Sequence, residues 1–245
     1  MAPRRIAIVT GSATGIGRAV AWRLADRGFA VTVNFSKSKA EAEETADGVR
    51  ARNAEVLLQK ANVGDDAAVR AMVEATVKAF GALDVLVNNA ATTHFVDHRD
   101  LDGLTEEVWD EILQVNLKGT FYGCRAAMPH LQARLGNIVN IASVAGIAGS
   151  GSSIAYSASK GGVITLTKSL ARAFAPEVRV NAVAPGPVQT RWLADHQDMI
   201  EQAMKITPMQ RPATPEDIAD ATVFLADGNS LMTGQVVVID GGRTL

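Results

Sequence analysis

Short apolar runs alternate with longer helical stretches along the whole chain, and the first run opens into a glycine-rich turn that leads into a helix. No linker, repeat or low-complexity tract interrupts the alternation. Together these features predict an α/β fold: a single-domain, Rossmann-like, doubly wound parallel sheet of about seven strands with helices on both faces, spanning residues 1–245.

The strands are read at residues 6–10, 30–35, 56–59, 83–87, 137–141, 179–182 and 235–239. Each is nearly unbroken in Val, Ile and Leu, the pattern of strands buried on both faces. Residues 15–27 repeat small and apolar side chains at helix spacing, and 38–53 and 65–80 are amphipathic, with Asp65 placed to cap the latter. Thr105-Glu-Glu-Val opens a long helix toward Gln132, and 156–174 forms another, ended by Pro176. The irregular stretch runs from Pro185 to Pro215 and includes Pro187, Pro208 and Pro212. Residues 187–212 are expected to form a substrate lid, with a short amphipathic piece at 194–205. Trp192, Met199, Met204 and Ile206 there either line an apolar pocket or pack that piece onto the body.

Composition narrows the function. Apolar residues make up 47% and charged residues 20%, enough for a sizeable core, and the net charge of -2 gives no basic excess for nucleic acid or an anionic membrane. The single cysteine, Cys124, allows no intramolecular disulfide and no cysteine metal cluster. His94, His98, His130 and His196 lack a zinc-ligand spacing, so no metal is expected. The first apolar run is too short for a signal or membrane segment, and a cytoplasmic protein is expected.

The chemistry is carried by two places. Thr10-Gly-Ser-Ala-Thr-Gly-Ile-Gly17 spaces its glycines as Gly11, Gly15 and Gly17. A tight turn from a buried strand into a helix presents N–H groups and the helix dipole to a pyrophosphate. Gly15 lets the backbone approach, and Gly17 lets the helix pack close. About twenty residues on, where an acid would grip a ribose 2′-hydroxyl, the chain reads Asn34-Phe35-Ser36-Lys37-Ser38. Ser36, Lys37 and Ser38 can instead bond a 2′-phosphate, so NADP(H) is favoured over NAD(H). The second place is Tyr156 and Lys160, one helical turn apart on one face. The ammonium can lower the phenol's pKa and make it a proton donor to a carbonyl.

These residues, with Asn88-Asn-Ala90, Asn116, Ser143 and Pro185-Gly186, occur in the order of the short-chain dehydrogenase/reductases. The chain resembles that family over nearly its whole length, and within it the bacterial 3-oxoacyl-[acyl-carrier-protein] reductase branch. The resemblance implies a catalytic set of Asn116, Ser143, Tyr156 and Lys160. Tyr156 is the general acid/base, and Lys160 also holds the nicotinamide ribose. Ser143 polarises the substrate carbonyl, and Asn116 holds a relay water through its backbone at a helix bend. The implied cofactor contacts are Gly11, Ser12, Thr14, Gly15, Ile16 and Gly17 in the turn, and Asn34 with Ser36–Ser38 after the second strand. Asn62 and Val63 follow the third strand, Asn88, Asn89 and Ala90 the fourth, and Pro185, Gly186, Val188 and Thr190 the sixth.

Several positions depart from the family pattern. Ala91 stands where a glycine is usual, and Asn62 replaces an acid while keeping the ability to bond adenine. Of the two basic residues that flank the site entrance in carrier-protein reductases, Arg172 matches one, and Pro129 lies near the other. The segment 92–103, with His94, Phe95 and His98, is longer than usual and reads as a rim.

The expected function is NADPH-dependent reduction of a 3-oxoacyl thioester or related ketone. The alternatives are an NAD-linked alcohol or sugar dehydrogenase and a non-catalytic dinucleotide-sensing protein. A homotetramer is expected, because helices 105–132 and 156–174 and strand 235–239 carry more apolar surface than one sheet face needs.

Overall fold

The computed structural model describes residues 4–193, 201, 204–228 and 231–245. The expected helix at 194–205, with Met199, lies almost entirely outside them. Seven strands are present: β1 (Ile6–Val9), β2 (Ala30–Phe35), β3 (Val56–Lys60), β4 (Val85–Asn88), β5 (Asn137–Ile141), β6 (Arg179–Pro185) and β7 (Val236–Ile239). They form one parallel sheet in the order β3-β2-β1-β4-β5-β6-β7. The order reverses between β1 and β4, which opens a crevice at their carboxyl ends.

Side-chain alternation assigns each residue to a face. Ala7 and Val9 of β1 join a core with Val31, Val33, Val85, Val87 and Val139. Ile6 and Ile8 join the opposite core with Leu86 and Ile138. The first core is covered by α1 (Gly15–Asp26), α2 (Lys39–Arg50) and α8 (Pro215–Val223). The second is covered by α3 (Asp66–Phe80), α5 (Gly119–Gln132) and α7 (Ile154–Phe174). Strands buried on both faces therefore read as continuous apolar runs. β3 and β7 do not fit that reading: their residues are mostly half-exposed, because they are the two sheet edges.

Helix ends follow local chemistry. Asp65 caps α3 as expected, its carboxylate accepting from the N–H groups of Ala67 and Ala68 at 2.9 and 3.1 Å. α8 begins with a capping box between Thr214 and Asp217 and a proline in its first turn. The reading of 105–132 as one helix is corrected. It is α4 (Glu106–Ile112), a π-helical turn at Leu113–Lys118 and then α5. α7 starts at Ile154, before the expected Tyr156, because Ser153 caps it. A four-residue helix, α6 (Ala145–Ala148), follows β5.

A buried polar chain crosses the middle of the sheet. The Asn88 amide donates to Asn140 at 2.9 Å, and the Asn140 amide donates to Thr167 at 2.9 Å. The Thr167 hydroxyl then donates to the Val163 carbonyl at 2.8 Å. Asn88 also donates to the Cys124 sulfur, and burial pushes that thiol up to about 12. Among the described residues, no helix is long and apolar enough to cross a membrane.

Candidate active site

The crevice begins at the turn between β1 and α1. Gly11 has φ +61°, and a Cβ there would lie 2.8 Å from the Ala90 Cα. A Cβ on Gly17 would lie 2.5 Å from the Asn89 amide nitrogen. Glycine is thus required by the close approach of the β4 loop. Thr10 closes the same gap, its hydroxyl accepting from the N–H groups of Asn89 and Ala90 at 2.9 and 3.0 Å. The Asn89 amide donates to the carbonyls of Thr10 and Gly11 at 2.9 and 3.0 Å. Thr14, the α1 N-cap, makes no side-chain cap bond. The first-turn N–H groups of α1 thus lack a side-chain acceptor, and the cradle fits a dinucleotide pyrophosphate. Thr190 sits beside Gly15 on the far side of the crevice, its Cγ2 3.2 Å from where a Gly15 Cβ would be.

Two expected contact residues are instead part of the scaffold. Asn34 is 1% exposed; its side-chain oxygen accepts from Gly11 N–H at 3.0 Å, and its side-chain amide donates to the Gln59 and Ala61 carbonyls at 3.2 and 3.0 Å. Its side chain is spent on joining β2, β3 and the glycine turn. The buried Ser12 hydroxyl donates to the Val9 carbonyl at 2.7 Å and accepts from Asn34 N–H at 3.0 Å. Both shape the cradle from behind. Asn88 likewise belongs to the buried chain described above rather than to the crevice surface. Val63 is buried, while Asn62 is exposed and folds its side-chain oxygen onto Gly64 N–H at 3.0 Å.

The residues expected to be catalytic sit where β5 and α7 meet. Ser153 accepts from Tyr156 N–H at 3.2 Å, which fixes the first turn of α7, and Tyr156 lines the same cavity as Ser143. Ser143, two residues past β5, is held by Ala145 N–H at 3.1 Å. Lys160, 3% exposed, donates to the Ile141 carbonyl at 2.8 Å, with its nitrogen 5.7 Å from the centre of the Tyr156 ring. Burial pushes the Tyr156 phenol up to about 12, and the Ser143 hydrogen bond opposes that only in part. Burial also pulls Lys160 down to about 8. In the protein itself desolvation sets the phenol, which lies above its ordinary value.

Asn116 lies in the π-helical turn and is buried. Its side chain accepts from Thr92 N–H at 2.8 Å and donates to the Thr92 carbonyl at 3.0 Å and to Ser159 at 3.1 Å. Its own carbonyl accepts the Thr120 hydroxyl at 2.7 Å. It ties the β4 loop to α7 immediately behind Tyr156.

Ser143, Tyr156 and Lys160 line a cavity of about 550 Å³ together with Asn89, Pro185, Gly186, Val188 and Thr190. Its apolar wall includes Phe95, Val144, Pro187, Trp192 and Ile206. Trp192 meets Tyr156 edge-on, with ring centres 5.9 Å apart. Of the four apolar residues read either as pocket lining or as packing onto the body, Trp192 and Ile206 line the cavity. His94 and His98 tether the rim loop: His94 bonds Glu111 at 2.8 Å, and His98 bonds the Gly151 carbonyl at 3.2 Å.

Sequence reading missed two cations. Arg191 reaches from the loop after β6 to the far end of the crevice. It donates to the Ser38 hydroxyl at 3.2 Å and pairs with Glu41 at 3.5 Å. Ser36 and Lys37 are exposed beside it. The other is Arg243, which lines the main cavity. Only their places in the chain, one residue after Thr190 and one after Gly242, hinted at them.

Comparison with known proteins agrees with this geometry. The family model described as enoyl-(acyl carrier protein) reductase matches residues 11–244. The chain is 44% identical over 245 residues to "Granaticin polyketide synthase putative ketoacyl reductase 2" of Streptomyces violaceoruber, covering 98% of this chain and 96% of that one. It is 41% identical over 244 residues to the 3-oxoacyl-[acyl-carrier-protein] reductase FabG of Staphylococcus aureus, covering 96% of each. A solved structure described as "a putative short-chain dehydrogenase/reductase from Burkholderia xenovorans" matches with a TM-score of 0.94 and 35% identity, covering 99% of both chains.

Proposed function

The chain belongs to the short-chain dehydrogenase/reductase family and is an NAD(P)-dependent oxidoreductase; on that footing we propose that it reduces the carbonyl of a 3-oxoacyl thioester or related ketone to an alcohol, using NADPH. The carrying observation is that Ser143, Tyr156 and Lys160 line one cavity wall, with Lys160 one helical turn behind Tyr156 and anchored to the Ile141 carbonyl. Held by the glycine cradle and by Pro185, Gly186, Val188 and Thr190, a bound dinucleotide would supply the hydride for the carbonyl carbon. Ser143 donates a hydrogen bond to the substrate oxygen. Tyr156 gives that oxygen its phenolic proton, and Lys160 stabilises the tyrosinate left behind. Asn116 is a positioning residue that holds Thr92 and Ser159 around this centre.

The preference for NADP(H) rests on the missing acid after β2 and on the cations there. Lys37 and Arg191, with Ser36 and Ser38, offer charge-assisted bonds to a 2′-phosphate. The cradle at Gly11, Thr14, Gly15, Ile16 and Gly17 takes the pyrophosphate, and Pro185, Gly186, Val188 and Thr190 take the nicotinamide end.

A homotetramer fits the remaining surface. Phe121 on α5, Phe224 after α8 and Val238 on the edge strand β7 are 38%, 49% and 38% exposed, an apolar area that a second copy would cover.

The test is an NADPH-oxidation screen over acetoacetyl thioesters, diketones, keto sugars and quinones. Turnover of an acetoacetyl thioester or simple ketone is expected. Absence of turnover with every carbonyl, or oxidation of sugars with NAD alone, would overturn the reading.

A further inference from the structure

Arg243 is the feature of the cavity that carbonyl reduction by itself does not use. It is half-buried and lines the same cavity as Ser143 and Tyr156. Among the described residues, its guanidinium has no ion pair and no hydrogen bond. Elsewhere Arg134 pairs with Asp84, Arg5 with Asp227, Arg18 with Glu44 and Arg211 with Asp217, and the half-buried Arg179 donates to the Met232 and Leu225 carbonyls at 3.1 and 3.3 Å. A half-buried cation without a partner, facing an otherwise largely apolar wall, is costly unless an anion meets it.

The backbone that carries Arg243 is firmly held. The Asp240 carboxylate accepts from Gly242 N–H at 2.8 Å, from Thr244 N–H at 2.9 Å and from the Thr244 hydroxyl at 2.7 Å. The nearest acid in the sequence is thus spent on the turn itself. The Gly241 carbonyl accepts from Met209 N–H at 3.1 Å. Asp240 also packs against Gly186, leaving no room for a side chain there. The turn that presents Arg243 is therefore tied to the loop that closes the nicotinamide end of the crevice.

We propose that Arg243 selects the substrate: it binds an anionic group, carboxylate or phosphate, on the carbonyl compound whose reacting oxygen lies between Ser143 and Tyr156. This inference rests on the carbonyl-reductase reading. Two substrates could bring that charge, a free oxo acid through its carboxylate or a thioester through the phosphate of its carrier arm. The guanidinium fork suits either oxyanion.

Paired probes separate the sources. Acetoacetate against ethyl acetoacetate isolates a carboxylate, and acetoacetyl-CoA against acetoacetyl-N-acetylcysteamine isolates a phosphate arm. The quantity read is the ratio of kcat/KM for the anionic member to that for the neutral one. In Arg243→Met this ratio should fall by about tenfold to a hundredfold in one pair, mainly through KM, as for loss of a bond to a charged group. Arg243→Lys should restore part of it. The pair that responds identifies the source. Equal losses on both members of both pairs, or no loss, would overturn the proposal. If no carbonyl is reduced, the reductase reading fails separately. Calorimetric titration of acetoacetate and of CoA into wild type and Arg243→Met then decides the anion site alone: weaker binding in the variant supports it, and unchanged heats overturn it.

Discussion

The Lys160 ammonium donates to the Ile141 carbonyl at 2.8 Å, so the lysine one turn behind Tyr156 is anchored to the last residue of β5. Helix α7 and the strand end that leads to Ser143 are thereby held in one frame. The buried position lowers the lysine pKa to about 8 from 10.5. Because the folded value lies below the unfolded one, unfolding takes up a proton between about pH 8 and 10.5. The resulting penalty on the folded state is full below about pH 8 and fades as pH rises toward 10.5. Its ceiling is about 3 kcal/mol. Lys160→Met removes the penalty but strands the Ile141 carbonyl. Its stability relative to wild type should therefore be most favourable near neutral pH and decline toward about pH 10. Urea titrations at both pH values check this, and a constant difference would contradict it.

Tyr156→Phe should lower kcat by about 10²–10⁴-fold, the contribution of a positioned general acid. Dinucleotide affinity should stay within about twofold, because only the proton donor is lost. Rapid kinetics with a fluorescence titration of NADPH separates the two effects. A variant that keeps most of its kcat would remove Tyr156 from its role.

Coenzyme preference should depend on two cations from different loops. Lys37→Glu and Arg191→Ala should each weaken NADPH binding by about 1.5–3 kcal/mol, with a smaller effect on NADH. Parallel titrations with both coenzymes provide the comparison. Equal losses for NADH and NADPH would show that neither residue reads the 2′-phosphate.

Asn34→Ala should act on the fold. It strands the Gly11 N–H and the Gln59 and Ala61 carbonyls, all bonded by one side chain. Each buried group left unsatisfied costs about 1–3 kcal/mol. A loss of about 2–4 kcal/mol in unfolding free energy is expected, with weaker binding of both coenzymes alike because the glycine cradle loosens. Thermal unfolding measures the first effect and the titrations above the second. A variant as stable as wild type would show that the cradle does not need Asn34.

The mass in solution should be that of a tetramer, and Phe121→Glu should reduce it by placing a charge in the apolar surface of α5. Light scattering at micromolar concentration reads both. A monomeric wild type would refute the assembly.

Apolar periodicity made the sheet and the main helices legible, since a strand buried on two faces leaves an unbroken Val/Ile/Leu run. It overstated burial at β3 and β7, because an edge strand has the same composition as a central one. A bend at Asn116 was expected from the family resemblance, but the spacing gave no sign that Leu113–Lys118 is a π-helical turn, as its residues are ordinary helix formers. Tyr156, Lys160 and the glycines were found because their spacing is local. Asn34 and Ser12 were misread as contacts because a polar side chain beside a crevice looks the same in sequence whether it faces the ligand or the scaffold. Arg191 and Arg243 escaped notice because their significance comes from residues far along the chain.

The buried chain from Asn88 through Asn140 to Thr167 has a consequence for how the sheet assembles. Asn88 and Asn140 face each other in the register of β4 and β5. Sliding β5 by one residue would turn Asn140 into the opposite hydrocarbon layer, which Val139 and Ile141 now occupy. The Asn88 amide and the Thr167 hydroxyl would each lose a partner at the same time. Hydrocarbon strands alone discriminate weakly between neighbouring alignments, since Val, Ile and Leu exchange places at small cost. Three polar groups that can be satisfied in only one alignment act as a proofreading device at the centre of the sheet, penalising mispaired strands beneath the crevice.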